Sequence, residues 1–234
     1  VGVLFTDRLT VDKVERMKVT TCLNPLHTAL AVFGCLLGYT SIHREMKDPS
    51  LVALIRRIGY TEGLPVVVNP GIIDPKAFID DVVTKRLPNP FIPDTPQRIA
   101  CDTSQKIPIR FGQTIKAWAS DKSRGTASLE GISLALAGWL RYLCAKDDAL
   151  RPFEPSPDPL LSQLLPLFED LDLNKSPSAA EISRRLKPIL VREDLFAQDL
   201  YQAGIGEKVE QLFAELSNGP GAIRKTLDKM AKNW

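Results

Sequence analysis

The sequence predicts an all-α fold, multi-helical throughout. Three observations carry it: prolines that follow a capping residue, apolar residues recurring at three- and four-residue intervals, and the scarcity of alternating strand patterns. In chain order, residues 1–5 are a short apolar run with no alternating partner, which is thin evidence for a strand. Residues 26–37 are apolar at almost every position and predict a buried helix, with Asn24 as its N-cap and Pro25 at the first helical position. Asp48-Pro49 opens an amphipathic helix carrying Leu51, Val52, Leu54, Ile55 and Ile58. Residues 65–68 are a second short apolar run without a strand partner. Asp74-Pro75 opens a helix with Phe78, Ile79, Val82 and Val83, and Thr95-Pro96 starts a short turn of helix. Phe111, Ile115 and Trp118 stripe a helix over 108–119, and residues 128–146 form a helix apolar enough to be nearly all buried. Pro152, Pro155, Pro157 and Pro159 impose an extended connector over 151–159. Ser176-Pro177 begins a helical segment that buries Ile182, Leu186 and Leu190. Residues 207–216 and 222–232 predict a terminal helical hairpin, broken by Ser217-Asn218-Gly219-Pro220.

The composition bounds the function. The 234 residues are 44% hydrophobic, enough to bury one large core. The connector at 151–159 is flanked by apolar helices that need partners, so a single domain over 1–234 is expected rather than two. With 30 lysines and arginines interspersed among 28 aspartates and glutamates, the net charge of +2 offers no basic field, and nucleic acid is not the expected partner. Asp7, Arg8, Asp12, Lys13, Glu15, Arg16 and Lys18 interrupt any secretory h-region. The apolar stretches 26–37 and 132–144 fall short of the roughly 18 to 20 residues that span a bilayer, so no membrane partner is expected. Cys22, Cys35, Cys101 and Cys144 lie far apart, and there are only two histidines. Neither a disulfide scaffold nor a zinc site is expected, and a reducing cytoplasm fits.

Two clusters could carry chemistry. Asn24 and His27, three residues apart, share one helical face at the head of the most apolar helix. Six residues earlier stands Lys18, and a lysine in a partly apolar pocket can exchange a proton near neutrality. The bland alternatives are a capping asparagine, a core histidine and a solvated lysine. Farther on, Arg98 and Lys106 place two cations around small polar residues, a combination suited to an acidic or polyhydroxylated substrate. The competing possibility is that Asp102 pairs locally with Arg98 or Lys106.

The run Met17-Lys18-Val19-Thr20-Thr21-Cys22-Leu23-Asn24-Pro25-Leu26-His27, followed by an apolar helix and by Arg98 through Pro108, resembles the C-terminal domain of the mannitol dehydrogenase and fructuronate reductase family. These are the long-chain polyol-specific dehydrogenases. The resemblance extends to at least Trp118 and more loosely through the final helices. It implies the all-α domain shared with 6-phosphogluconate dehydrogenase. It also implies metal-independent hydride transfer between NAD or NADP and a sugar ketone or secondary alcohol. Lys18 matches the family's catalytic lysine, Asn24 and His27 its oxygen-polarising partners, and Arg98 and Lys106 its substrate-contacting positions.

In the family a dinucleotide-binding domain precedes this one and holds most of the cofactor. No Gly-x-Gly-x-x-Gly after a strand and no βαβ pattern occurs here, so that domain is expected to be absent from this chain. Alone, the chain is expected to bind cofactor weakly and turn over negligibly. Reduction of fructuronate to mannonate is the expected reaction, with mannitol and fructose as the runner-up. A non-catalytic helical interaction scaffold is the alternative of a different class.

Two departures from the family fall in one stretch. Five residues rather than four separate Lys18 from Asn24, and Pro25 stands where the family has glycine. A π-bulge could absorb the extra residue and keep Lys18 facing the site. The alternative is a break, with a fresh helix at Asn24 and Lys18 swung away.

Overall fold

Capping residues ahead of prolines start helices where the sequence predicts them. The computed structural model describes residues 3–121 and 123–234; the Val1 and Gly2 end of the first apolar run lies outside them. Asp7 accepts from Thr10 N at 2.9 Å and opens α1 (Arg8–Met17). A π-helical turn, Lys18–Cys22, leads through a bend at Leu23 into α2 (Asn24–Leu36). After α3 (Ile42–Glu45), Asp48 accepts from Ser50 N and Leu51 N at 3.0 and 3.3 Å and starts α4 (Pro49–Arg56). A π segment, Arg57–Gly63, and a 3-10 turn, Leu64–Val66, follow, so the apolar run at 65–68 is not a strand. Asp74 caps α5 (Pro75–Asp81) through Ala77 N at 2.7 Å, and a third π segment, Val82–Arg86, extends it.

Thr95 caps α6 (Pro96–Ala100), accepting from Arg98 N at 3.2 Å. The helix predicted over 108–119 is part of a longer unit: α7 (Thr103–Ile107), a π segment Pro108–Gly112, and α8 (Gln113–Ser120). Pro108 has no N–H to continue the α ladder, which accounts for the change of pitch there. Then come α9 (Glu130–Tyr142), α10 (Leu161–Leu164), α11 (Ala179–Leu190), α12 (Glu193–Phe196) and the terminal pair α13 (Gly206–Leu216) and α14 (Ala222–Ala231). α11 begins later than Ser176-Pro177 suggests. Ser178, in extended backbone, accepts from Glu181 N at 3.2 Å and is the better cap. Among the described residues the β content is one antiparallel bridge, Lys146 to Pro152, and the fold is all-α.

α2 is the axis of the core. It packs against α4, α6 and α9, and α9 in turn carries α13. The approach to α9 is close, because a Cβ on Gly138 would come within 2.8 Å of the Phe33 ring. Through the π turn, α1 and α2 form one helical stretch, Arg8–Leu36, of 29 residues. That is longer than the apolar runs in the sequence indicate, and long and apolar enough to cross a bilayer. Yet 78% of its most apolar window is buried inside the protein, as befits a core helix. The connector 151–159 is extended and pinned to α6 and α7: Ser156 Oγ donates to Gln97 O at 2.8 Å, and Asp102 N donates to Pro157 O at 2.9 Å.

Two buried carboxyls show opposite solutions to one problem. Glu62, fully buried, accepts from Gly131 N at 2.7 Å, Ile132 N at 2.8 Å and Arg57 Nε at 3.1 Å. It therefore caps α9, which has no capping side chain of its own, and favours the positive end of that helix dipole. Burial still raises its pKa to about 6, against those bonds. Glu45, also fully buried, has no hydrogen-bond partner for either oxygen and lies against Gly34, where any Cβ would collide with it. Burial, with Asp48 adding to it, pushes its pKa up to about 9, so it is a neutral acid at pH 7.

Glu62→Ala leaves two buried helix N–H groups and the Arg57 Nε without their acceptor, while the other end of the guanidinium keeps Glu130 and the Ser128 carbonyl. A loss of about 3–5 kcal/mol in urea unfolding is expected, and a loss under 1 kcal/mol would contradict the capping role. Glu45 titrates from 4.5 unfolded to about 9 folded, so the folded state holds the extra proton and stability falls as pH rises through that window. Between about pH 6.5 and 8.5, above the Glu62 range, the urea midpoint should decline in the native sequence and be flatter in Glu45→Gln.

Candidate active site

The site begins with a backbone hydrogen bond of unusual span. Leu23 N donates to Lys18 O at 3.1 Å, five residues back, so the turn holds one residue more than an α-helix would. The expected bulge is present. Buried Thr20, Thr21 and Cys22 hold it, and the Thr20 carbonyl, turned out of the ladder, accepts Thr114 Oγ1 from α8 at 3.2 Å. The ladder then returns to α spacing: His27 N donates to Leu23 O at 3.1 Å, and Pro25 sits in the first turn of α2, where it has no N–H bond to break. The bulge is therefore met and the break is not, because the helical stretch runs on from the π turn into α2.

Asn24 does not cap α2, contrary to expectation. Leu23, at φ −134° and ψ −62°, stands at the cap without a side-chain bond, because the π turn carries the chain into the helix already wound. Asn24 is the first helical residue. Its carbonyl accepts Thr28 Oγ1 at 2.9 Å, and its side-chain amide has no protein partner among the described residues. A free amide at a half-buried position can bind a substrate oxygen. Lys18, also half-buried, points its Nζ over the Phe78 ring at 5.6 Å from the centroid. It lines a cleft of about 320 Å³ with Leu4, Val11, Val14, Ile72 and Ile73.

His27 Nε2 lies 3.3 Å from Asp94 Oδ2, an electrostatic contact without hydrogen-bond alignment. Both side chains are nearly buried. Burial is the largest influence on the imidazole and pulls its pKa well below the usual histidine range. Asp94 opposes this, while Arg110, Arg86 and Arg98 reinforce it. A neutral ring follows, able to donate from one nitrogen and accept at the other.

Asp94 also binds Arg98, whose guanidinium is exposed on α6, and the Asp94 carbonyl accepts Ile42 N at 3.0 Å. Lys106 turns inward, and its Nζ donates to Ile99 O at 3.1 Å and to Cys101 O, bracing the turn between α6 and α7. Burial, then Arg110, lowers its pKa. Asp102 pairs with neither cation; it is exposed, in left-handed backbone at φ 51°.

The structure thus joins His27 to Arg98 through Asp94 and places Lys18 and Asn24 at the two ends of the turn that feeds α2. Two residues escape sequence reasoning. Asp94 had a visible signal, its position four residues before Arg98. Arg110 had only Pro108 nearby as a hint of irregular backbone. It is mostly buried, and its Nη1 donates to Thr28 Oγ1 at 2.6 Å. Among the described residues no three of His, Cys, Asp and Glu gather as a metal-holding group.

Residues 10–217 match the family described as the mannitol dehydrogenase C-terminal domain. The chain is 54% identical over 229 residues to the D-mannonate oxidoreductase of Thermotoga maritima, covering 98% of this chain and 42% of that protein. It is 34% identical over 144 residues to mannitol dehydrogenase 2 of Saccharomyces cerevisiae, covering 62% and 28%. The solved mannitol 2-dehydrogenase of Pseudomonas fluorescens, a ternary complex with NAD and D-mannitol, superposes on the whole chain with a TM-score of 0.81. It covers 43% of that structure at 29% identity. The chain spans less than half the length of each of these relatives.

In a His43→Gln background, His27 is the one imidazole left to follow by NMR. Its titration should fall well below the usual value near 6.5, and Asp94→Asn should lower it further by removing the charge that favours the protonated form. An upward shift in Asp94→Asn would show that Asp94 does not act on the ring.

Proposed function

The chain belongs to the mannitol dehydrogenase C-terminal domain family, and we propose that it is the substrate-binding and catalytic part of a longer NAD- or NADP-dependent dehydrogenase that interconverts fructuronate and mannonate. The observation that carries this reading is the 54% identity to the Thermotoga maritima D-mannonate oxidoreductase across 98% of the chain. Arginines 86, 98 and 110 act on His27 against a single opposing carboxylate, Asp94, a balance that suits an anionic substrate.

In reduction, the Lys18 ammonium donates a proton to the ketone oxygen as that oxygen gains charge. In oxidation, the Lys18 amine accepts the hydroxyl proton. The free amide of Asn24 and the neutral ring of His27 hydrogen-bond the same oxygen, and the partly buried setting strengthens those bonds as negative charge develops. Asp94 holds the ring, and through Arg98 one edge of the substrate site. Lys106 acts from behind by bracing the turn that carries Arg98.

The nicotinamide cofactor, when bound, supplies or accepts the hydride. The residues present fit only the rim of its site: Val11 and Ile72, both exposed beside Lys18, would give the ring an apolar wall. The phosphate-binding residues belong, in this proposal, to a dinucleotide-binding portion of the longer protein. A cytoplasmic setting is part of the same reading, since all four cysteines are free. Mannitol and fructose form the second reading, favoured by the 0.81 TM-score to the Pseudomonas fluorescens enzyme.

NADH oxidation by the full-length protein, with fructuronate and fructose in parallel, tests the proposal. Turnover of fructuronate is expected, and Lys18→Met should lower it by about 10²- to 10⁴-fold. Turnover of fructose alone would transfer the assignment to mannitol. Inactivity with both would favour a non-catalytic scaffold.

A further inference from the structure

A mostly buried cation beside His27 has no anion. Arg110 is carried by the π segment Pro108–Gly112, and its Nη1 donates to Thr28 Oγ1 at 2.6 Å. Thr28 follows His27 on α2, and its hydroxyl donates to Asn24 O at 2.9 Å. The guanidinium is therefore held against the same turn of α2 that presents Asn24 and His27. Among the described residues no carboxylate lies within 4.0 Å of it.

Other guanidiniums in this protein are treated differently. Arg57 binds Glu62 and Glu130, Arg185 binds Asp170 and Glu181, and Arg224 binds Asp48 and Asp228. Arg141 is buried without a carboxylate, but all three of its nitrogens donate to carbonyls, those of Leu216, Lys146 and Asp147. Arg110 has one hydroxyl. An unmatched cation in a partly buried setting is costly, and that burial lowers the Arg110 pKa to about 10 with no anion to restore it. Four of its five N–H donors remain free, in the planar fork that matches a carboxylate.

We propose that Arg110 takes the carboxylate of the substrate, held in register by Thr28, and so selects a sugar acid over a neutral sugar. This rests on the dehydrogenase reading above and names the residue that sets its substrate class. Arg98 is already committed to Asp94 and Lys106 to two backbone carbonyls, while Arg86 is exposed to solvent, which leaves Arg110 as the partly buried cation of the cluster with an open fork.

The test uses the full-length protein with fructuronate as substrate and D-mannonate as the binding probe. Arg110→Ala should raise the fructuronate KM by about 10- to 100-fold, the factor set by a charge-assisted hydrogen bond, while kcat falls far less. Calorimetry should show the Kd for D-mannonate rising by a similar factor, and added guanidinium ion should bring the KM back down. Arg110→Lys, which keeps the charge but not the fork, should fall between and covers the case in which the alanine variant fails to fold. An unchanged KM and Kd, or a loss confined to kcat, in a wild type that turns over fructuronate would overturn this inference alone. A wild type inert towards fructuronate would overturn the preceding reading, and this inference with it.

Discussion

The hydrogen bond from Leu23 N to Lys18 O is the constraint on which the site depends. By closing a wider ring it absorbs one residue without breaking the helical stretch from Arg8 to Leu36. The lysine before the turn and the asparagine and histidine after it therefore stay on one continuous element. Such a turn wastes a carbonyl, and here Thr114 of α8 takes it, while buried threonines and a cysteine fill the widened radius. The other π segments repeat the pattern. Arg57–Gly63 carries Glu62, Val82–Arg86 ends at Arg86, and Pro108–Gly112 carries Arg110. In each, irregular backbone accompanies a charged side chain used for capping or placed in the field of His27.

Electrostatics in this domain is decided by the number of partners a buried group finds. Burial would by itself raise the Asp48 pKa, yet bonds from Arg224, Tyr39 and Leu51 N pull it below the usual range. Glu62 has bonds to two helix amides and one guanidinium, and burial still wins by a modest margin. Glu45 has none and stays protonated. At His27 burial outweighs the attraction of Asp94, so the ring is neutral and directional rather than a further cation in an already positive cluster. The two structural carboxylates fix α4 and α9, the helices that flank α2, and so hold the frame against which the site is set.

The sequence alone carried the local decisions. Asp48, Asp74 and Thr95 before prolines started helices because each oxygen satisfies an N–H within its own first turn. The shared face of Asn24 and His27 was legible by counting residues along one helix, and the π-bulge from the one residue more than the resembled family has between Lys18 and Asn24. The all-α fold was legible for the same reason, since helical periodicity needs no distant partner. What tertiary structure decided were contacts between residues far apart in the chain. Glu62 reaches across to Gly131 and Ile132, His27 to Asp94, Arg110 to Thr28, and the connector at Ser156 to Gln97. It also turned Lys106 onto its own turn and left Arg110 open, although both are cations a few residues apart with similar sequence surroundings. A backbone carbonyl or a buried hydroxyl becomes a partner only once the chain has folded around it, so which charge is satisfied and which awaits a ligand is a property of the packed molecule.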